Sequence, residues 1–269
     1  MKTQNSSNSL ADSVKSGFAA VIIPVELALA YLFYFFVLGA EENFDASHHP
    51  VNYLGTVHEG GPAIVPILIS LLMMTVTFAI ERLFTIAKAK GKGSVRSFVQ
   101  KIRTLLASGN IAQAIAECDK QKGSVANVVK AGLSKYNALL GDNTLDAEQK
   151  VLLIQKDIEE TTQLEMPMLE KNLVIIATIA SIATLMGLLG TVLGMINAFS
   201  AMAQAGAPDA VKLASGISEA LINTALGIGT SAVAIVFYNY FTSAIDALTY
   251  GIDETSYSIV QNFTAKSKG

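Results

Sequence analysis

The sequence predicts an all-α integral membrane protein: about four transmembrane helices, the last two long, with a helical cytoplasmic region. Three observations carry this. Apolar residues make up 51% of the 269 positions and charged residues only 15%, well under the roughly 25% charged that is usual in soluble domains. Between Asn172 and Asp209 no ionisable side chain occurs, and at ~1.5 Å per helical residue that run outspans a ~30 Å hydrocarbon core. A second long apolar segment, Leu213–Tyr240, follows after the turn-rich piece 203–209.

In chain order, residues 1–16 are polar and read as a cytoplasmic, mobile tail. Residues 17–40 form an extra N-terminal span whose only acid is Glu26. The run is too long for a secretory signal, and Ala40-Glu-Glu-Asn43 is a poor cleavage context. Pro24 stands two residues before Glu26, so a kink is expected where the carboxylate sits. An intramembrane Glu is a functional candidate, and both an interfacial and an ion-handling role remain open for it. Residues 41–61 form a polar outer loop with all three histidines, His48, His49 and His58. Adjacent histidines diverge, and no cysteine or ordered carboxylate spacing accompanies them, so a solvated loop without metal is expected.

Residues 62–87 form the next span, and Glu81-Arg82 mark its cytoplasmic boundary. Arg82, Lys88, Lys90, Lys92, Arg96, Lys101 and Arg103 follow with no acid before Glu117. The positive-inside rule places this flank in the cytoplasm. Both termini are then cytoplasmic, 41–61 lies outside, 88–171 inside and 203–212 outside, where Lys212 is the single basic residue of the outer loops.

The region 88–171 reads as helices. Val95, Phe98, Val99, Ile102, Leu105 and Leu106 make one apolar stripe at helical spacing. Gly109-Asn110 ends that helix, and Asn110 begins the next, Ile111–Lys120. Val125, Val128, Val129 and Leu133 indicate a third. After a turn at Gly141–Thr144, either Thr144 or Asp146 starts a long helix to Leu169, with Val151, Ile154, Ile158 and Thr162 on one face and a bend expected at Pro167. No convergent polar cluster marks a ligand site, so a helical collar is expected. The lone Cys118 excludes an internal disulfide and reads as a buried small apolar residue. Nucleophile-elbow, P-loop and dinucleotide fingerprints are missing, so neither an enzyme nor a cofactor is expected. The net charge of −3 gives no reason to expect nucleic acid.

The hairpin 172–246 is the candidate pore-forming element; residues 247–269 read as a cytoplasmic tail. Its two helices are studded with small and hydroxyl residues, which favour contact with protein or a polar lumen over lipid. At ~100° per residue, Thr178, Ser181, Thr184, Leu188, Thr191 and Met195 stay near one face. On the last span Ala220, Thr224, Gly227 and Thr230 or Ser231 follow one line. The two stripes face each other, sister subunits or a lumen. Gly187, Gly190, Gly194 and Gly227 are the helix-packing candidates. Thr191, Thr224, Glu219, Asn223, Thr178 and Ser181 are the pore-lining candidates. Glu219 and Thr224 are offset by ~140° and do not share a face. Glu219 is either a proton relay or an anchor between helices. The third span holds no titratable group and the fourth one acid near its outer end. Either a partner helix brings the essential carboxylate, or the protein is no ion channel.

Glu170-Lys-Asn-Leu-Val-Ile-Ile-Ala-Thr-Ile-Ala-Ser181, Gly187-Leu-Leu-Gly-Thr-Val-Leu-Gly-Met-Ile-Asn-Ala-Phe199, Gly216-Ile-Ser-Glu-Ala-Leu-Ile-Asn-Thr-Ala-Leu-Gly-Ile-Gly229 and Tyr238-Asn239 closely resemble the ExbB/TolQ/MotA superfamily, the ExbB branch above all. Gly109-Asn-Ile-Ala-Gln-Ala-Ile-Ala-Glu-Cys118 and Lys130-Ala-Gly-Leu133 look like the ExbB cytoplasmic segment. The resemblance covers about 65–263 and leaves out the first span, which is atypical for ExbB; four spans are the MotA layout. Relatives often carry proline at the positions of Thr184 and Val233, so kinks there are absent or made by glycines.

The resemblance implies a bacterial inner-membrane stator subunit. It implies a homopentamer around an ExbD-like one-span subunit whose aspartate carries the proton, with a TonB-like transducer passing work to outer-membrane transport. Thr191 and Thr224 then stand at the family's pore-facing threonines, and Glu219 at its membrane glutamate. Membrane lipids are the remaining partner. The rivals are a flagellar or gliding stator, a TolQ-like envelope-maintenance motor, and a non-conducting scaffold in which the small residues serve packing alone.

Overall fold

The computed structural model describes residues 4–141, 144–204 and 210–267. The chain is 86% helical, and no strand forms among the described residues. The helices are α1 (Gln4–Phe33), α2 (Tyr53–His58), α3 (Val65–Lys90), α4 (Val95–Ala107), α5 (Ile111–Gln121), α6 (Ser124–Leu139), α7 (Ala147–Glu170), α8 (Leu173–Gln204) and α9 (Ala210–Ser267). Among the described residues four helices are long and apolar enough to cross a membrane. The chain divides into two compact units, Met1–Ile80 with Val174–Tyr238, and Glu81–Leu173 with Asn239–Gly269.

In the first unit, α1 packs through residues four apart: Glu26, Ala30, Tyr34 and Leu38 are buried, while Val25, Leu29 and Phe36 between them are exposed. This is the single stripe a helix presents when one side meets protein and the other lipid. The helix begins at Gln4, so much of the expected mobile tail is helical, and it continues through Pro24. It closes in one π-turn, Tyr34–Leu38. The carbonyls left open at that end accept from the Asn43 side chain, at 2.6 Å for Val37 and 2.9 Å for Leu38.

The loop 41–61 exposes Glu41, Glu42 and residues 45–49 and 51–54, and it also carries local order. Asn52 caps α2 by accepting from the Gly55 amide at 3.0 Å, and Phe44 and Pro50 form an isolated antiparallel bridge. The Tyr34 hydroxyl donates to the His58 carbonyl at 3.0 Å, and the two rings stack with centroids 4.5 Å apart. Partial burial holds the His58 imidazole below its ordinary value, as expected when the charged form is desolvated. His48 stacks on Phe44 and His49 lies beside Asp45, so the three histidines serve different neighbours. Polyproline-free polar composition hid this order, which rests on two asparagines and a ring stack.

In the second unit, the predicted stripes form the core. Phe98, Val99, Ile102 and Leu106 of α4, Val125, Val128, Val129 and Leu133 of α6, and Ile154 and Ile158 of α7 are buried, and Leu105 is only half-buried. Asp146, not Thr144, caps α7: its carboxylate accepts from the Gln149 amide at 2.7 Å while the Gln149 side chain reaches back, a capping box. Asn110 occupies the first flanking position of α5 without a side-chain cap bond. The α7 helix runs through Pro167. Cys118 is buried, donates to the Ala114 carbonyl and has its thiol pushed up to about 12 by burial. The stretch read as a C-terminal tail is the continuation of α9, and its Ile252, Ile259 and Phe263 join the core. Buried residues spaced by three and four, Ile252, Thr255, Ile259 and Phe263, carried that signal. Most of the 203–209 connection and Asp142-Asn143 lie outside the described residues, as do Lys2 and Lys268.

Arg82 has a second role beyond the charge that marks a boundary. It is 2% exposed. Its guanidinium donates to the Leu169 and Met168 carbonyls at 3.0 and 3.3 Å and pairs with Glu81. These carbonyls are among those that the end of α7 leaves open. Glu81 in turn accepts from the Asn172 side chain at 3.2 Å, and Asn172 takes the left-handed conformation, φ +66°, that lets the chain turn into α8. Asn tolerates that region better than most residues. Replacing Arg82 by Met leaves these carbonyls and the Glu81 carboxylate without their donor. We expect a loss of about 3 kcal/mol, read as a lowered unfolding midpoint of the solubilised protein, with new protease sensitivity near Lys171.

Candidate functional site

The α8–α9 pair is held by backbone proximity. A methyl group at Gly187 would lie 2.9 Å from the Asn223 carbonyl oxygen and 3.0 Å from the Gly227 Cα. At Gly227 it would lie 2.6 Å from the Ala183 carbonyl oxygen, and at Gly194 2.8 Å from the Gly216 carbonyl oxygen. Gly190 gives room to the Asn223 side chain, whose Cβ would stand 2.5 Å from an added methyl. Every helix-packing glycine singled out in the sequence thus meets the opposite helix. Gly216, which the sequence reading assigned no packing role, belongs with them: it fills the notch beside Ala198 and Gly194. In a membrane, where apolar side chains gain nothing by leaving lipid, such close contact supplies much of the association.

Close approach brings hydroxyls together. Thr191 and Thr224 hydrogen bond to each other across the pair. Thr191 also reaches the Gly187 carbonyl at 3.2 Å, and Thr224 the Ala220 carbonyl at 3.1 Å. Further along, the Ser231 hydroxyl donates to the Ala180 carbonyl. Both threonines are half-buried, so this polar point is open on one side.

Asn223 and Glu219, one turn apart on α9, share a different face. The Asn223 side chain is fully buried and donates to the Gly60 carbonyl at 2.8 Å. Glu219 is half-buried, and its Oε1 comes within 3.0 Å of where a Cβ on Gly61 would stand. Gly61 has φ +89°, a conformation that suits glycine. The structure therefore joins Thr191 with Thr224, and separately joins Glu219 and Asn223 with Gly60-Gly61. The expected angular offset of Glu219 from Thr224 has this physical meaning: the acid faces the outer-loop end of α3. Gly60 and Gly61 were missed in the sequence, where only their pairing hinted at close approach.

Thr178, Ser181 and Thr184 on α8 are exposed on the single chain, with the Thr178 hydroxyl turned back to the Val174 carbonyl at 2.7 Å. Leu188, on the same line, is also exposed. This chain covers none of the four. No ionisable residue lies among 173–204 of α8, so the chemistry the arrangement offers is hydrogen bonding by neutral hydroxyls and carbonyls. Among the described residues no cluster of three or more metal-type side chains occurs.

The model of the MotA/TolQ/ExbB proton channel family matches residues 120–254, which include the whole α8–α9 contact. The chain belongs to this family. Several relatives agree. A biopolymer transport protein ExbB-like 3 of Synechocystis is 38% identical over 88 residues, 32% of this chain and 42% of the relative. A biopolymer transport protein ExbB of Pseudomonas putida is 27% identical over 215 residues, 77% of this chain and 64% of the relative. A Tol-Pal system protein TolQ of Pseudomonas aeruginosa is 29% identical over 136 residues, 51% of this chain and 58% of the relative. The chain thus spans between about two fifths and two thirds of the length of these relatives. It is an ExbB-like, multi-pass membrane protein of a proton channel family.

Glycine at these contacts sets a sharp contrast. Gly227→Ala places a methyl against backbone and should cost about 1–3 kcal/mol, seen as a lower unfolding midpoint in detergent. Gly229, two residues on, has nothing within 4 Å of its added methyl. Gly229→Ala should leave the midpoint unchanged or raise it slightly.

Proposed function

We propose that this chain is the stator-type subunit of a proton-driven motor in the bacterial inner membrane. It assembles as a homopentamer around the membrane helix of an ExbD-like one-span subunit, and with a TonB-like transducer it energises transport across the outer membrane. One observation carries the reading: α8 presents Thr178, Ser181 and Thr184 uncovered at hydrocarbon depth, next to a half-open Thr191–Thr224 pair. A hydroxyl in a membrane helix bonds back to its own helix, as Thr178 does, and a row of them on an uncovered face favours contact with a second chain or water over lipid. No acid or base lies along α8, so in this reading the titratable group that meets these hydroxyls comes from that second chain. A partner carboxylate, when ionised, would accept from the Thr191 or Thr224 hydroxyl. Once protonated it would lose the charge-assisted part of that bond and move on to the next subunit. Glu219, near Gly61, would stand at the outer entrance of this route.

Similarity to TolQ proteins of Pseudomonas aeruginosa and Haemophilus influenzae favours one second reading, an envelope-maintenance motor with the same mechanics. The two differ in the partner, not in the path.

Replacing Thr191 and Thr224 by Val tests the path. An interhelical hydrogen bond in a membrane is worth only about 0.6 kcal/mol on average, so the double variant should assemble with unchanged subunit mass. Its proton-driven activity should fall about tenfold or more, as for about 1.4 kcal/mol in a limiting barrier. Full activity in the assembled double variant would refute the proposed route.

A further inference from the structure

The first membrane helix lies outside the family match and carries an acid that the α8–α9 site does not use. Glu26 occupies the packing stripe of α1, in series with Ala30, Tyr34 and Leu38, and is 6% exposed. The Thr77 hydroxyl of α3 donates to its Oε1. Its Oε2 is buried with no hydrogen-bond partner among the described residues. An ionised carboxylate accepts about four hydrogen bonds; this one receives a single bond.

Among the described residues no cation is paired with this carboxylate. Residues 62–80 contain no ionisable group, and neither do 174–204 of α8. Within 19–38, which spans the end of α1 and its π-turn, the other titratable groups are Tyr31 and Tyr34, and within 210–238 of α9 they are Lys212, Glu219 and Tyr238. Glu219 lies against Gly61, sixteen residues from Thr77 along the chain and so about 24 Å away at helical rise. Lys212 precedes Glu219 by about two turns on α9. A tyrosine phenol carries no positive charge in either protonation state, so it is not a counter-cation. A metal cation is a poor fit, since hard cations collect six or more oxygens and this seam offers one carboxyl and one hydroxyl.

We propose that Glu26 and Thr77 form a proton-binding site between α1 and α3, separate from the Thr191–Thr224 pair. The carboxyl group holds its proton on Oε2, and Thr77 donates to the carbonyl oxygen Oε1. The neutral acid leaves one buried O–H without an acceptor; ionisation would leave a full charge there with one donor and no paired cation among the described residues, which costs far more. The site therefore binds a proton whenever α1 is docked on α3. This inference stands whether or not the motor reading above is right, because its readout is the carboxyl group itself.

The test is infrared spectroscopy of the full chain in its purified assembly in lipid nanodiscs at neutral pH. The expected result is a protonated carboxylic-acid carbonyl band that disappears in Glu26→Gln, persists in Glu219→Gln and is unaffected by added sodium. Thr77→Val, which keeps the acid and removes its donor, should shift the band to higher frequency without abolishing it. This second variant decides the matter if Glu26→Gln fails to assemble. A band unchanged by Glu26→Gln in an assembled protein, unmoved by Thr77→Val, or lost on adding sodium at constant pH would overturn the proposal.

Discussion

Backbone-to-backbone contact between α8 and α9 is the constraint on which the first unit depends. Gly187, Gly190 and Gly194 on one helix, with Gly216 and Gly227 on the other, leave no space for a single methyl group. Larger residues would hold the helices apart and would remove the Thr191–Thr224 hydrogen bond with them. The small residues thus both bind the pair and define its polar point. They act in a solvent where burying Leu against Leu brings little advantage over lipid. Asn223 ties this pair to the segment ahead of α3: its side chain passes over Gly190 and donates to Gly60. One asparagine therefore sets the register of three chain segments.

The second unit is stabilised differently. Its helices are amphipathic and bury Val, Ile, Leu and Phe in an ordinary apolar core, driven by removal of that surface from water. Polar bonds then fix the ends. Asp146 starts α7, Arg82 closes it, and Asn262 accepts from Tyr136 at 2.9 Å while donating to the Leu106 carbonyl at 3.0 Å. The solvent assumed for each unit explains why one relies on glycine and the other on branched aliphatics.

Much of this could be read from the residues. The four apolar helices follow from run length and charge distribution, and the α4, α6 and α7 cores from spacing alone. The packing glycines were recognisable because such density of small residues is wasted on lipid. Four features were hidden, each for a physical reason. The outer loop is polar in composition, yet Asn43 and Asn52 order it through short side-chain caps and the Tyr34–His58 stack through a contact 24 residues apart, none of which a hydrophobic period records. Arg82 reads as a topology charge, because its carbonyl partners lie more than eighty positions away. The helical continuation of α9 to Ser267 was read as a tail because its apolar positions are interspersed with polar ones, although their spacing suits a half-buried helix. Glu26 was visible as an anomaly, but its partner Thr77 was not, since pairing between α1 and α3 depends on how the two helices are rotated.

The central claim is that the exposed hydroxyl face of α8 exists to meet a second chain. The most direct measurement is the mass and composition of the complex extracted from its native membrane. The account predicts five copies of this chain with a co-purifying one-span protein that carries an intramembrane aspartate. A lone or dimeric chain that still conducts protons in liposomes would contradict it.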